Sequence, residues 1–104
     1  MKRDALFVPK TVVLELEWAM HGVARLEAAA IHRCLLHLAA LPNATLEDRP
    51  AVEKAIEWYG SGLDFADALH LASSATCDAM LSFDGRRFAR RAARLGLAPR
   101  VESP

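Results

Sequence analysis

Short apolar runs alternate along this chain with longer segments in which apolar residues recur every three or four positions. The runs Ala5–Val8 and Ala79–Phe83 lack polar alternation, which is typical of strands buried on both faces of a parallel sheet. The periodic segments between these runs predict helices with apolar faces. The sequence therefore predicts an α/β domain, helix-rich, with a parallel sheet flanked by helices.

Five helices are predicted from this spacing and from the prolines and glycines that bound them. Gly22 and Gly96 are expected to end the first and the last helix, because glycine readily adopts the left-handed conformation that closes a helix. Two short extended segments are also expected, at Ala44–Glu47 and Leu97–Val101. The predicted helices are Lys10–His21, Leu26–Ala40, Arg49–Tyr59, Asp64–Thr76 and Arg86–Leu95.

The first predicted helix is apolar on two sides. Leu14 and Trp18 lie on one side, and a helix of this kind is either sandwiched or lies at a subunit interface. Glu15 and Glu17 occupy the two seams and are equivalent on the helical wheel, so periodicity leaves open which of them faces a site. The opposite, longer apolar face consists of Val12, Leu16, Ala19, Met20 and Val23.

The distribution of charge is uneven although the formal net charge is zero. Residues 1–84 contain seven Lys/Arg and twelve Asp/Glu, whereas residues 85–104 contain six Arg and one Glu. An acidic body with a basic terminal segment suits a metal site beside a strip that binds a polyanion. Exposed arginines on a terminal helix are an equally weighted alternative.

The size and the cysteines favour a single cytoplasmic domain over residues 1–104. Cys34 and Cys77 lie in apolar stretches without zinc-like spacing, so both are expected to be buried free thiols, as in a reducing compartment. No apolar run is long enough to cross a membrane, and no hydrophobic signal region follows Met1.

Three acidic residues near the predicted core are candidate metal ligands: Glu15, Asp67 and Asp84. Asp84 ends the run Ala79–Phe83, and ligands of open α/β sheets bind at the carboxyl ends of strands. Carboxylates gathered there would suit Mg²⁺ or Mn²⁺, which can activate water for attack on a phosphodiester. Plainer roles remain open, because Asp84 also fits a turn or helix cap. Asp64 and Asp67 are spaced like a capping box, with the cap favoured for Asp64.

The last predicted helix carries a run of arginines that can bind phosphates. Arg86, Arg90 and Arg94 recur every four residues, with Arg87 and Arg91 beside them. Because the run starts next to the third candidate ligand, we expect Arg86, Arg87 and Arg90 to contact a nucleic acid.

The histidines carry less information. His70 lies three residues after Asp67 and could touch the site, but a plain surface or core histidine is the commoner case. His32 and His37 match no common zinc spacing around Cys34. No nucleophile motif and no phosphate-binding glycine loop is present.

Three segments resemble motifs of the PIN-domain family, in particular toxin ribonucleases of the VapC type. Phe7–Trp18 resembles the family's strand and helix, Gly62–Ala72 its third acidic motif, and Leu81–Phe88 its fourth. The three segments occur in family order, and the resemblance spans roughly residues 5–96. By position, Glu15 resembles the helical glutamate of the family, and Asp67 and Asp84 resemble the aspartates of these two later motifs.

The resemblance implies a function and partners. It implies Mg²⁺ or Mn²⁺, RNA cleavage by activated water, homodimerisation and inhibition by an antitoxin protein. Asp64 would be an extra ligand or a cap, and Glu17 has no family role.

This sequence departs from the family pattern at its start. The family opens with a central strand that ends in an aspartate, whereas this chain begins just before the second strand. We therefore expect a PIN-like domain that is truncated at its N-terminus, with activity in doubt. The alternative functions are a catalytically inactive module that binds an antitoxin or a second subunit, and a plain helical domain with scattered carboxylates.

Overall fold

The computed structural model describes residues 5–82 and 85–102. Within that part the chain is rich in helix, and every one of the five predicted helices is present. A π-helical turn, Ala19–Val23, follows the first helix directly. The elements in chain order are β1 (Leu6–Val8), α1 (Lys10–Trp18), α2 (Ala28–Ala39), β2 (Ala44–Leu46), α3 (Arg49–Gly60), α4 (Phe65–Ser73), β3 (Ala79–Leu81), α5 (Gly85–Arg94) and β4 (Arg100–Glu102).

The described strands form two separate parallel pairs. β1 pairs with β2, with Phe7 opposite Thr45, and β3 pairs with β4, with Met80 opposite Val101. The predicted α/β class with parallel pairing is confirmed, but the pairs are not joined into one sheet among the described residues.

The prediction that the two apolar runs are buried strands is wrong for Leu6, Phe7 and Leu81, which are more than half exposed. Val8 and Met80 are partly buried and pack against the core. Each of these strands has a hydrogen-bonded neighbour on one side only within residues 5–82 and 85–102, so one edge stays open. Apolar composition predicted the strands, but their burial depends on neighbours elsewhere in the chain.

The core lies where α3 packs along α4. The predicted apolar face of α3 is confirmed, because Val52 and Ile56 are buried and Tyr59 is partly buried. On α4, Ala68 and Ala72 are buried, and their small side chains permit a short distance between the two helix axes. The largest fully buried side chains are Phe65, Ile31, Leu35, Ile56, Leu71, Val13 and Val52.

The predicted apolar faces of α1 are partly wrong. Val13, which belongs to neither predicted face, is the buried residue of this helix, while Val12 and Trp18 are exposed. The helix also does not end at Gly22, because the π-helical turn runs through that glycine to Val23. Because α1 has apolar residues on several sides, helical periodicity cannot indicate which of them is buried.

The predicted end of the last helix is confirmed. Gly96 follows α5 in the left-handed conformation with φ +69°, as expected for the residue that closes a helix.

Cys34 and Cys77 are free but exposed, so the prediction of buried thiols is wrong. Apolar neighbours in sequence did not imply burial, because Cys34 lies on the outer side of α2.

No helix in the described ranges has the length and apolarity needed to cross a lipid bilayer. The longest α-helices, α2 and α3, have 12 residues each, against about 20 for a membrane-spanning helix.

Two adjacent leucines on α2 test this assignment of the core. Leu35 is fully buried, whereas Leu36 is 47% exposed. Leu35→Ala should lower the free energy of unfolding by about 2–5 kcal/mol, because it removes packed methyl groups and leaves a cavity. Leu36→Ala should change it by less than about 0.5 kcal/mol. Urea unfolding followed by circular dichroism measures both, and equal losses would contradict the placement of α2.

Candidate functional site

A pocket of ≈ 810 Å³ lies between the C-terminal half of α1, the start of α4 and α5. Its walls are largely apolar, with contributions from Leu14, Trp18 and Phe88. Carboxylates and guanidinium groups from elements far apart in the sequence meet in this cavity, which we call the acidic pocket. Its charged lining residues are Glu15, Glu17, Glu27, Asp64, Asp67, Arg87 and Arg91.

Two of the three predicted metal ligands reach this pocket. Glu15 comes from α1 and Asp67 from the first turn of α4. The third, Asp84, lies outside the described residues. In sequence it directly precedes Gly85, the first residue of α5, and α5 contributes Arg87 to the pocket wall. The described carboxylates are therefore not scattered over unrelated surfaces.

The helix that carries Glu15 is fixed at its N-terminus by polar contacts. The backbone N–H of Lys10 donates to Glu47 Oε1 at 2.8 Å, and Lys10 Nζ donates to Ser73 Oγ at 3.1 Å. Lys10 Nζ also forms an ion pair with Asp48 Oδ2 at 3.4 Å. A carboxylate at this end of the helix is favourable because the first N–H groups have no partner within the helix. These contacts fix the start of α1 to the residues that precede α3 and to the last residue of α4.

Asp64 has the capping role that the sequence favours. Its Oδ2 accepts a hydrogen bond from the backbone N–H of Asp67 at 3.1 Å, so α4 begins at Phe65. This bond fixes the first turn of α4 and therefore the position of Asp67 in the pocket. A ligand role for Asp64 stays a prediction.

Glu17, to which the family resemblance assigned no role, also lines the acidic pocket. Its Oε2 accepts a hydrogen bond from the Tyr59 hydroxyl at 3.5 Å. The Tyr59 ring meets the buried Phe65 ring edge-on, with centroids 5.6 Å apart. Helical periodicity could not identify this pair, because Tyr59 lies on α3 and the contact joins distant parts of the chain.

The surroundings of this pair shift both pKa values upward. Burial is the main cause of the raised pKa of Glu17, and the nearby Asp64 charge adds to it. His21 and the Tyr59 hydrogen bond offset part of that rise. Burial also raises the pKa of Tyr59, and the Glu17 carboxylate raises it further. The pocket therefore disfavours additional negative charge on its Glu17 side.

The arginines of α5 divide between two adjoining cavities. Arg87 and Arg91 line the acidic pocket and also a shallow cleft of ≈ 290 Å³, which we call the arginine cleft. Arg91 Nη1 donates to the backbone carbonyl of Gly62 at 2.6 Å, two residues before Asp64. Of the three predicted nucleic-acid contacts, Arg86 and Arg90 lie in the arginine cleft and Arg87 borders both cavities.

The favoured interpretation of His70 as a plain surface or core histidine agrees with the structure, because His70 is exposed and does not line the acidic pocket. His21, which the sequence did not single out, does line it. His21 reaches the pocket because the π-helical turn continues α1 beyond Trp18.

The fit to a divalent cation depends on Asp84. Carboxylate oxygens are the right ligand type for Mg²⁺ or Mn²⁺. However, no group of three His, Cys, Asp or Glu side chains within residues 5–82 and 85–102 is arranged to hold a metal ion. The pair Glu15 and Asp67 thus needs a further carboxylate.

The raised pKa of Glu17 predicts how stability depends on pH. The folded state holds this proton more tightly than the unfolded state, so the free energy of unfolding falls as the pH rises from the ordinary glutamate pKa through the raised value. Glu17→Gln stays neutral and removes this dependence. Its stability relative to the original chain should therefore increase from about pH 4 to about pH 7.

Urea unfolding across this pH range measures the difference. Asp78→Asn removes an exposed carboxylate outside the acidic pocket and serves as the matched control. A Glu17→Gln curve parallel to that of the original chain would contradict the burial of Glu17.

The chain was compared with known protein families, proteins and structures. No protein-family model, no curated protein and no solved structure matches this chain.

Proposed function

We propose that this chain is a PIN-like, metal-dependent endoribonuclease, the toxin component of a cytoplasmic toxin–antitoxin pair. One observation carries the proposal: Glu15 and Asp67, which come from two separate motifs of the resemblance, line one pocket with Arg87. Such a combination of carboxylates and a guanidinium group suits the cleavage of a phosphodiester near a bound cation.

Each side chain has a defined part in this proposal. Glu15, Asp67 and Asp84 would hold Mg²⁺ or Mn²⁺, with Asp64 as a cap and possible extra ligand. The cation, when bound, supplies an activated water and neutralises charge on the phosphate. Arg87 borders the pocket and would bind the phosphate beside the reacting one, while Arg86 and Arg90 bind the RNA backbone outside it.

The PIN-like sheet belongs to the same proposal. The resemblance implies a central strand, and β1 and β3 each have one edge that no described strand pairs. Open edges on parallel strands are compatible with that arrangement.

RNA cleavage tests the proposal directly. Mn²⁺ should start cleavage of a labelled single-stranded RNA, and EDTA should stop it. Asp84→Asn and Asp67→Asn should each reduce the rate by at least about 100-fold, since even partners outside a ligand set contribute 10- to 100-fold. Asp78→Asn is the matched control, because Asp78 is exposed and lies outside the acidic pocket. Cleavage that persists in EDTA or in Asp84→Asn would refute the nuclease.

A second function is favoured by the apolar lining of the pocket. Trp18 is 67% exposed and Leu26 is 39% exposed, and both line the cavity. Exposed apolar residues around a groove mark protein contacts, so a catalytically inactive module that binds an antitoxin segment or a second subunit is the alternative. No cleavage at any Mn²⁺ concentration, together with loss of partner binding in Trp18→Ala, would favour it.

A further inference from the structure

Helix α5 is attached to the domain by one narrow apolar side. Phe88 and Ala92, one turn apart, are buried at 3% exposure each. Most of the remaining surface of the helix is exposed, and it carries five exposed arginines in two rows. These rows are Arg87 with Arg91, and Arg86 with Arg90 and Arg94.

The two rows connect the acidic pocket to the surface beyond it. Arg87 and Arg91 line both cavities, so the acidic pocket and the arginine cleft adjoin. Every described residue that lines the cleft is an arginine. The row from Arg86 to Arg94 extends over roughly 12 Å along the helix, at about 1.5 Å per residue.

One hydrogen bond fixes the position of the arginine cleft on α5 relative to the acidic pocket. Arg91 Nη1 binds the Gly62 carbonyl at 2.6 Å, and Gly62 has the left-handed φ of +100° that glycine adopts without strain. Since Asp64 follows two residues later as the cap of α4, this bond joins the basic helix to the segment that sets the position of Asp67.

No arginine of α5 forms a close ion pair within the described part of the chain. The ion pairs there involve Lys10, Arg49, Lys54 and Arg100. Five guanidinium groups on one short helix repel one another, so a bound polyanion would relieve a repulsion that folding leaves in place.

We infer that α5 is a tract for the phosphate backbone of single-stranded RNA. The strand leaves the acidic pocket past Arg87 and Arg91 and continues along Arg86, Arg90 and Arg94. A single strand can bend from the pocket into the shallow cleft, whereas a duplex is a stiff rod on this scale. The inference rests on the proposed function only in taking RNA as the polyanion that enters the pocket.

Salt dependence of binding tests the tract without any cleavage. Anisotropy of a labelled single-stranded RNA is measured in EDTA at several KCl concentrations, and log Kd is plotted against log [KCl]. Each phosphate contact on a single strand contributes about 0.7 to the slope. Arg90→Ala and Arg94→Ala should each reduce the slope by about 0.7, and the double variant by about 1.4.

Two variants separate the tract from a general effect of charge. Arg33→Ala removes an exposed arginine from α2, outside both cavities, and should leave the slope unchanged. Arg90→Lys keeps the charge and should keep the slope while weakening binding, because the planar fork of the guanidinium is lost. An unchanged slope in Arg90→Ala and Arg94→Ala would overturn the tract.

Competitors of known chemistry test which polyanion is bound. A polyglutamate peptide that displaces the RNA at lower concentration than unlabelled RNA would assign α5 to an acidic protein partner. Tighter binding of duplex RNA would refute the single strand. An arginine-dependent slope without Mn²⁺-dependent cleavage would keep the tract and reject the nuclease, and the reverse result would reject the tract alone.

Discussion

The packing of α4 along α3 is the constraint on which the rest of the structure depends. Ala55 on α3 and Ala68 and Ala72 on α4 are buried, and side chains of this size allow two helices to approach closely. Four of the seven largest fully buried side chains, Val52, Ile56, Phe65 and Leu71, come from these two helices, so the pair supplies much of the apolar burial that offsets the entropy of folding. Because α4 begins at its Asp64 cap, the same packing determines where Asp67 stands in the pocket. The core and the candidate site therefore share one helix.

A second feature is the proximity of opposite charges at the N-terminal end of α4. Carboxylates from α1 and α4 line a cavity whose other wall comes from the basic helix α5. Among the described residues no close ion pair involves an arginine of α5, and Arg91 donates to the backbone carbonyl of Gly62. The pocket therefore presents carboxylates and guanidinium groups together, which suits a ligand that carries both signs of charge, as a cation bound to a phosphate does.

The sequence predicts the helices of this fold well and its exposed surfaces poorly. Helical spacing is a local property, so the apolar face of α3 at Val52 is buried as predicted. Burial of β1 is not local, because it depends on which strand pairs with each edge. Periodicity also could not identify Val13 as the buried residue of α1, because its burial depends on which elements pack against that helix. Glu15 and Glu17 were equivalent on the helical wheel, and both line the pocket. Only the contact with Tyr59, from another helix, distinguishes Glu17.

The open strand edges have a consequence for handling the protein. Leu6, Phe7 and Leu81 are apolar and exposed, and they lie on β1 and β3, whose outer backbone groups have no strand partner among the described residues. An uncharged edge of this kind can template the addition of a strand from another molecule, and proteins usually protect such edges with lysine, proline or a bulge. Aggregation by edge-to-edge strand pairing should therefore set the highest usable concentration, and a lysine at Phe7 would be the direct way to raise it.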